Sequence, residues 1–182
     1  AQNDVKRILS FHIVSQIGYM VMGLGLFTLA GLAGTVLYLV HHIVVKTSLF
    51  LAAGLVEQRR GTADLARLSG LVRSEPMLGL LFAVPALSLA GIPPLFGFWG
   101  KFVVFQAAVQ AGLLPLAVIG IAASVIGAFY YIKVVKIIYF DEPASKALGR
   151  SDWAHQAILA LSALFISPLG YLLTKWLGGL AN

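Results

Sequence analysis

The stretch Ser88–Phe105, SLAGIPPLFGFWGKFVVF, decides how the rest of the chain folds. It lies inside a run from Pro76 to Leu114 whose sole charged residue is Lys101. Such a run is about twice as long as one straight helix needs to cross ~30 Å of hydrocarbon. Gly91, Pro93, Pro94 and Gly97 are the residues that break it. Adjacent prolines remove backbone donors and push the preceding residue out of helical geometry. Backbone groups freed at membrane depth must be buried in protein or face a water-filled cavity. Lys101 follows this break, and an ammonium at a helix centre costs roughly 2.5–3.5 kcal/mol, so its default reading is functional. Snorkelling to an interface is the ordinary alternative, but apolar residues continue as far as Leu114.

Working outward, composition agrees with a membrane location. Of 182 residues, 59% are hydrophobic and only 11% are charged, and the mean hydropathy is +0.91. These values predict an all-α, polytopic membrane protein. The absence of cysteine excludes a disulfide frame and thiolate metal sites. The net charge of +6 does not point to nucleic acid, because the basic residues sit in loops between apolar spans. The chain opens on AQNDVKR, which reads as a loop between two spans. Residues 1–182 are therefore expected to be a single transmembrane domain, the C-terminal part of a longer subunit.

Five transmembrane segments are predicted, at about 8–30, 33–56, 77–112, 115–140 and 154–177, the third discontinuous. Alternating passage puts the N-terminus and the charged loops Glu57–Glu75 and Asp141–Trp153 on one side. That side holds Lys6, Arg7, Arg59, Arg60, Arg67, Arg73, Lys133, Lys136, Lys146 and Arg150, and the other holds Lys175. The positive-inside rule makes the N-terminus cytoplasmic and the C-terminus external. Asp4, Glu57, Asp64, Glu75, Asp141, Glu142 and Asp152 also fall on the cytoplasmic side. Lys46 and Lys101 thus lack a carboxylate at their own depth. Either they exchange protons or their partners lie elsewhere, and both alternatives point toward proton handling.

The second segment, GTVLYLVHHIVVKTSLFLAAGLV, places Lys46 near mid-membrane, with His42 and Tyr38 each one turn further back on the same face. His41 is rotated about 100° from that line. Two titratable groups on one buried face suit a proton relay; a histidine satisfied by a neighbouring helix and a lysine capped by carbonyls form the ordinary alternative. No metal site is read here, since adjacent histidines diverge on a helix and no third ligand is in sight. In the first segment, His12 and Gln16 share a face, as do Ser15 and Tyr19. Gly18, Met22, Gly23 and Gly25 suggest a smooth face for close helix packing. Leu65, Leu68 and Leu71 in the Glu57–Glu75 loop suggest a short amphipathic helix at the cytoplasmic surface. Phe129, Tyr130, Tyr131, Tyr139 and Phe140 read as an interfacial belt, and Trp153, Trp176 and Pro168 as anchors and kink of the last segment.

NDVKRILSFHIVSQIGYM, YLVHHIVVKTSLFLAAG and SLAGIPPLFGFWGKF together resemble the proton-conducting antiporter-like membrane subunits. That family includes the Mrp sodium/proton antiporter subunits and the NuoL, NuoM and NuoN pumping subunits of bacterial respiratory complex I. Residues 1–100, with HHIVVKT and EQRRGTADL, look most like the D-type Mrp antiporter subunit. Residues 101–182, with PLAVIGIAASVIGAFYYIKVVKIIYFDEP, look more like NuoN. The resemblance implies two inverted five-helix repeats with one discontinuous helix each, the present chain forming the second repeat and the final helix. It implies a proton relay through Lys101, Lys46 and His42, puts His12 in a segment where some members carry polar residues, and implies a first repeat, absent here, carrying a glutamate and further lysines; His41 and His12 are taken as further relay candidates. Phe96 departs from the small polar residue of many relatives and makes the break drier.

The function first expected is therefore proton translocation coupled to sodium or another cation. The alternatives are a NuoN-like proton-pumping subunit of NADH:quinone oxidoreductase, and an inert fragment that only packs against partners. The implied partners are other membrane subunits of an Mrp-type antiporter or complex I, protons, sodium in the antiporter case, and the lipid bilayer. The implied location is the cell inner membrane, with the N-terminus cytoplasmic and the C-terminus periplasmic. No NADH, flavin or iron–sulfur signature is present, so no cofactor is expected and any redox catalysis would belong to other subunits.

Overall fold

A computed structural model describes residues 3–62, 64–142 and 153–166. They form α1 (Val5–Gly25), α2 (Leu29–Arg60), a 3-10 turn (Leu65–Leu68), α3 (Leu71–Ser74), α4 (Pro76–Ala90), α5 (Phe96–Gln110), α6 (Leu114–Phe140) and α7 (Trp153–Ile166). The architecture is all-helical among the described residues, apart from one isolated bridge between Asp4 and Asp64. Three helices, α1, α2 and α6, are long and apolar enough to cross a membrane. Lys146, Arg150, Asp152, Pro168, Lys175 and Trp176 lie outside the described residues, as do the side chains of Arg59, Arg60 and Trp153.

Local chemistry sets the helix ends. The Asp4 carboxylate accepts the Arg7 N–H at 2.9 Å and starts α1, and Thr28 caps α2 through the Gly31 N–H at 3.0 Å. Gly61, at φ 69°, ends α2. Pro76 opens α4, where its missing donor is harmless. The break falls at residues 91–95, between the 15-residue helices α4 and α5, and takes in Gly91, Pro93 and Pro94 as expected, whereas Gly97 is already the second residue of α5. Gly91 adopts φ 83°, and the Ile92 N–H returns to the Leu87 carbonyl at 3.2 Å. Together they close α4 with a Schellman-type turn.

The 32-residue α2 is the central pillar and packs against α1, α4, α5 and α7. At a rise of about 1.5 Å per residue it is roughly 48 Å long. Its C-terminal half enters a large apolar core containing Leu9, Leu49, Phe82, Leu89, Val134 and Ile138. A smaller cluster of Tyr19, Met20 and Tyr38 lies toward its start. The buried polar residues His12, Gln16, His41, His42, Lys46, Ser48, Ser88 and Lys101 sit on helices that these two clusters bracket. α6 presents Val118, Ile119, Val125, Ile126 and Phe129 outward, as a helix bathed in lipid does.

Two expectations are corrected. Leu65, Leu68 and Leu71 do not lie on a surface amphipathic helix; all three are buried in the main core. Leu65 and Leu68 eclipse at the ends of a 3-10 turn and Leu71 opens the short helix α3, so the loop folds onto the end of the bundle. The Gly70 N–H bonds the Ile137 carbonyl at 3.1 Å, and the Leu65 N–H the Asn3 carbonyl at 2.8 Å, tying the loop to α6 and to the start of α1. The smooth glycine face of α1 is also narrower than expected. A Cβ on Gly18 or Gly25 would meet nothing within 4 Å, and of the three glycines only Gly23 makes a close approach, to Thr35 and Gly31 on α2.

Candidate functional site

The five predicted titratable residues, Lys101, Lys46, His42, His41 and His12, are all buried, at 4%, 6%, 7%, 0% and 8% exposure. They come from α1, α2 and α5, and packing turns them toward the bundle interior.

On one side, Lys46 Nζ donates to the Leu9 carbonyl at 2.7 Å and to the Tyr131 hydroxyl at 3.2 Å. The Tyr131 ring meets the His12 ring edge-on, with centroids 4.5 Å apart. The Gln16 amide donates to His12 Nδ1 at 3.0 Å, and the Tyr38 hydroxyl donates to Gln16 Oε1. The same amide nitrogen lies 3.4 Å from His12 Nε2. Residues up to 85 positions apart in sequence thus join one polar line between α1, α2 and α6.

On the other side lies the break. His41 Nε2 is 2.8 Å from Ser88 Oγ, which accepts the Gly97 N–H at 3.1 Å. Lys101 Nζ donates to the Leu89 carbonyl at 2.8 Å and to Ser124 Oγ at 3.0 Å, and it faces the Tyr19 ring at 5.5 Å. A carbonyl at the C-terminus of a half-helix carries partial negative charge, which suits an ammonium. The lysine therefore closes the break electrostatically. Phe96 stacks on His41 at 5.7 Å and 27°. His41 Nδ1 and His42 Nε2 are buried without a partner among the described residues. Buried polar atoms are usually satisfied, and these two ring nitrogens are exceptions, as is the Tyr19 hydroxyl.

The sequence reading is changed at three points. Tyr131 is not in the interfacial belt: it is 1% exposed, whereas its neighbours Phe129 and Tyr130 are 70% and 50% exposed. His41, set off the Lys46 line by rotation, makes the contact to the break that His42 does not. Ser88 and Ser124 were missed altogether; the usable signal was a lone hydroxyl in an apolar run beside a break or facing a buried lysine. The ordinary alternative for the lysines is realised in part, since both bond backbone carbonyls.

An all-helical apolar bundle with a helix broken at residues 91–95 and a buried lysine beside the break has the architecture of membrane proteins built on discontinuous helices. More particularly, the profile described as "NADH:quinone oxidoreductase/Mrp antiporter, TM" matches residues 1–127, and the chain belongs to that family. The N subunit of the NADH-quinone oxidoreductase of Erythrobacter litoralis is 47% identical over 183 residues, covering 100% of this chain. The D subunit of the Na(+)/H(+) antiporter of Alkalihalophilus pseudofirmus is 44% identical over 142 residues, covering 78% of it. A chain of the Mrp complex from Dietzia sp. DQ12-45-1b superposes with TM-score 0.81 at 30% identity, covering 96% of this chain and 41% of that one. The chain spans 38% of the length of the oxidoreductase relative and 29% of the antiporter relative.

Proposed function

We propose that the chain provides one proton-conducting unit of a longer, proton-translocating membrane subunit of the NADH:quinone oxidoreductase type. In this reading it makes five crossings, with a cytoplasmic N-terminus, and docks against other membrane subunits in the bacterial inner membrane. The observation that carries the reading is the burial of Lys46, Lys101 and three histidines on facing helices around a broken one. A fragment that merely packs has no use for two buried ammonium groups, each costing several kcal/mol to desolvate.

The oxidoreductase reading is favoured over the sodium-coupled antiporter put first from sequence. Similarity to the oxidoreductase N subunit runs through the whole chain, whereas similarity to the antiporter D subunit covers 78% of it. Redox chemistry would belong to partner subunits, and this chain would only move protons. The antiporter reading stays second, supported by the 44% identity to the antiporter relative.

Inverted membrane vesicles from the source organism, with and without the parent gene, separate the two. Loss of NADH-driven acidification with sodium-driven proton exchange unchanged supports the first reading; the opposite pattern supports the second. An Asn3→Cys variant of the parent should react with an impermeant maleimide in these inverted vesicles and not in intact cells.

Tyr131→Phe offers a finer test, because it removes one partner of Lys46 and keeps the ring against His12. A lost buried hydrogen bond to a charged group is worth ~1.5–3 kcal/mol, so proton flux should fall about tenfold with the subunit still assembled. Full flux in the variant would remove Tyr131 from the path.

A further inference from the structure

Ser88 stands in the last turn of α4, fully buried. Its Oγ accepts the Gly97 N–H and lies 2.8 Å from His41 Nε2. The imidazole it meets is held in place. The His41 ring is stacked between Tyr38, at 5.8 Å and 24°, and Phe96, at 5.7 Å and 27°. Its other nitrogen, Nδ1, has no partner among the described residues. The next residue of α4, Leu89, gives its carbonyl to Lys101.

We propose that Ser88 is a positioning residue, whose hydroxyl sets which nitrogen of the clamped His41 ring carries the proton and ties that choice to the start of α5. A serine hydroxyl donates one hydrogen bond and accepts two. A backbone amide can only donate, so Gly97 holds one acceptor position in every state. The hydroxyl then has two arrangements toward His41. It donates to Nε2, leaving the ring proton on Nδ1, or it accepts from Nε2–H and turns its own proton to another acceptor. Rotation about one C–O bond switches between them while both flanking rings and the α5 backbone stay in place. A proton gained or lost at His41 is thereby answered one residue from the carbonyl that holds Lys101. Only the transport consequence rests on the proton path proposed above; the control of the tautomer does not.

The test uses the full-length subunit in its complex, labelled with 15N-histidine, with His41→Gln identifying the His41 signals. In Ser88→Ala, the His41 ring-nitrogen signals should move, reporting a changed distribution of the proton between Nδ1 and Nε2. Proton flux should fall about tenfold, the rate equivalent of one buried hydrogen bond. Ser88→Cys, close in volume and a weak donor, should move the signals less and recover part of the flux. Combining Ser88→Ala with His41→Ala should cost no more flux than His41→Ala alone, because groups acting through one another are not additive. Unmoved His41 signals in either Ser88 variant would overturn the proposal, as would additive losses. Full flux in His41→Ala would instead sink the transport path, while the spectra still decide the role of Ser88.

Discussion

Lys101→Ala in the full-length parent is expected to abolish proton translocation while the complex still assembles. The ammonium is 4% exposed and bridges the Leu89 carbonyl on α4 to the Ser124 hydroxyl on α6, beside the broken helix. A positioned proton-transfer group contributes on the order of a hundredfold or more, and a loss of at least that size is expected in dye-quenching assays on vesicles. Assembly should survive, because alanine is a good helix former and removes a buried charge rather than adding one. Lys101→Arg separates charge from proton exchange. A guanidinium keeps the positive charge but does not release its proton in proteins, so the arginine variant should also fail. Flux near the native rate in Lys101→Arg would reduce the lysine to an electrostatic clamp on the break.

Gly97→Ala is expected to have the largest effect on stability. A Cβ at that position would collide with the Ser88 carbonyl oxygen and lie 2.8 Å from His41 Cε1. One obstacle is backbone and the other is a ring stacked on both sides, so neither yields cheaply. Forcing a methyl group into a packed interior costs about 1–3 kcal/mol, and more where backbone must shift. For a folding unit of about 150–250 residues, each kcal/mol lowers the melting midpoint by roughly 2–4 °C. Gly18→Ala and Gly25→Ala are the matched controls, since a Cβ at either meets nothing within 4 Å. They should be neutral or slightly stabilising, because alanine is the better helix former by about 1 kcal/mol. A midpoint for Gly97→Ala equal to that of the controls would mean that α4 and α5 do not approach each other as described.

Much of this architecture was legible residue by residue. Pro93 and Pro94 cannot continue a helix, and Gly91 can take the positive φ that ends one, so the break was fixed locally. The burial of Lys46 followed from its place midway along an apolar run, and its alignment with His42 and Tyr38 from the helical period. The His12–Gln16 contact followed from the same spacing. Leu65, Leu68 and Leu71 show where a local rule misleads. A spacing of three fits one face of an amphipathic helix loosely and a 3-10 turn closely, and length and tertiary contacts decide between them.

By itself, then, the sequence determined the all-helical, apolar character of the chain, the position of the break and the apolar setting of each buried charge. These depend on backbone chemistry and on the thickness of hydrocarbon, both of which act within one segment. Only the tertiary structure decided which groups meet across helices. Tyr131 and Tyr130 are neighbours in sequence, yet one is 1% exposed and bonds Lys46 while the other is 50% exposed. The difference is the rotation of α6 about its own axis, which is set by side chains of α1, α4 and α5 interlocking with it. Ser88 gained its place the same way: the close approach of Gly97 brings the start of α5 against the end of α4, and the packing of α2 brings His41 to the junction.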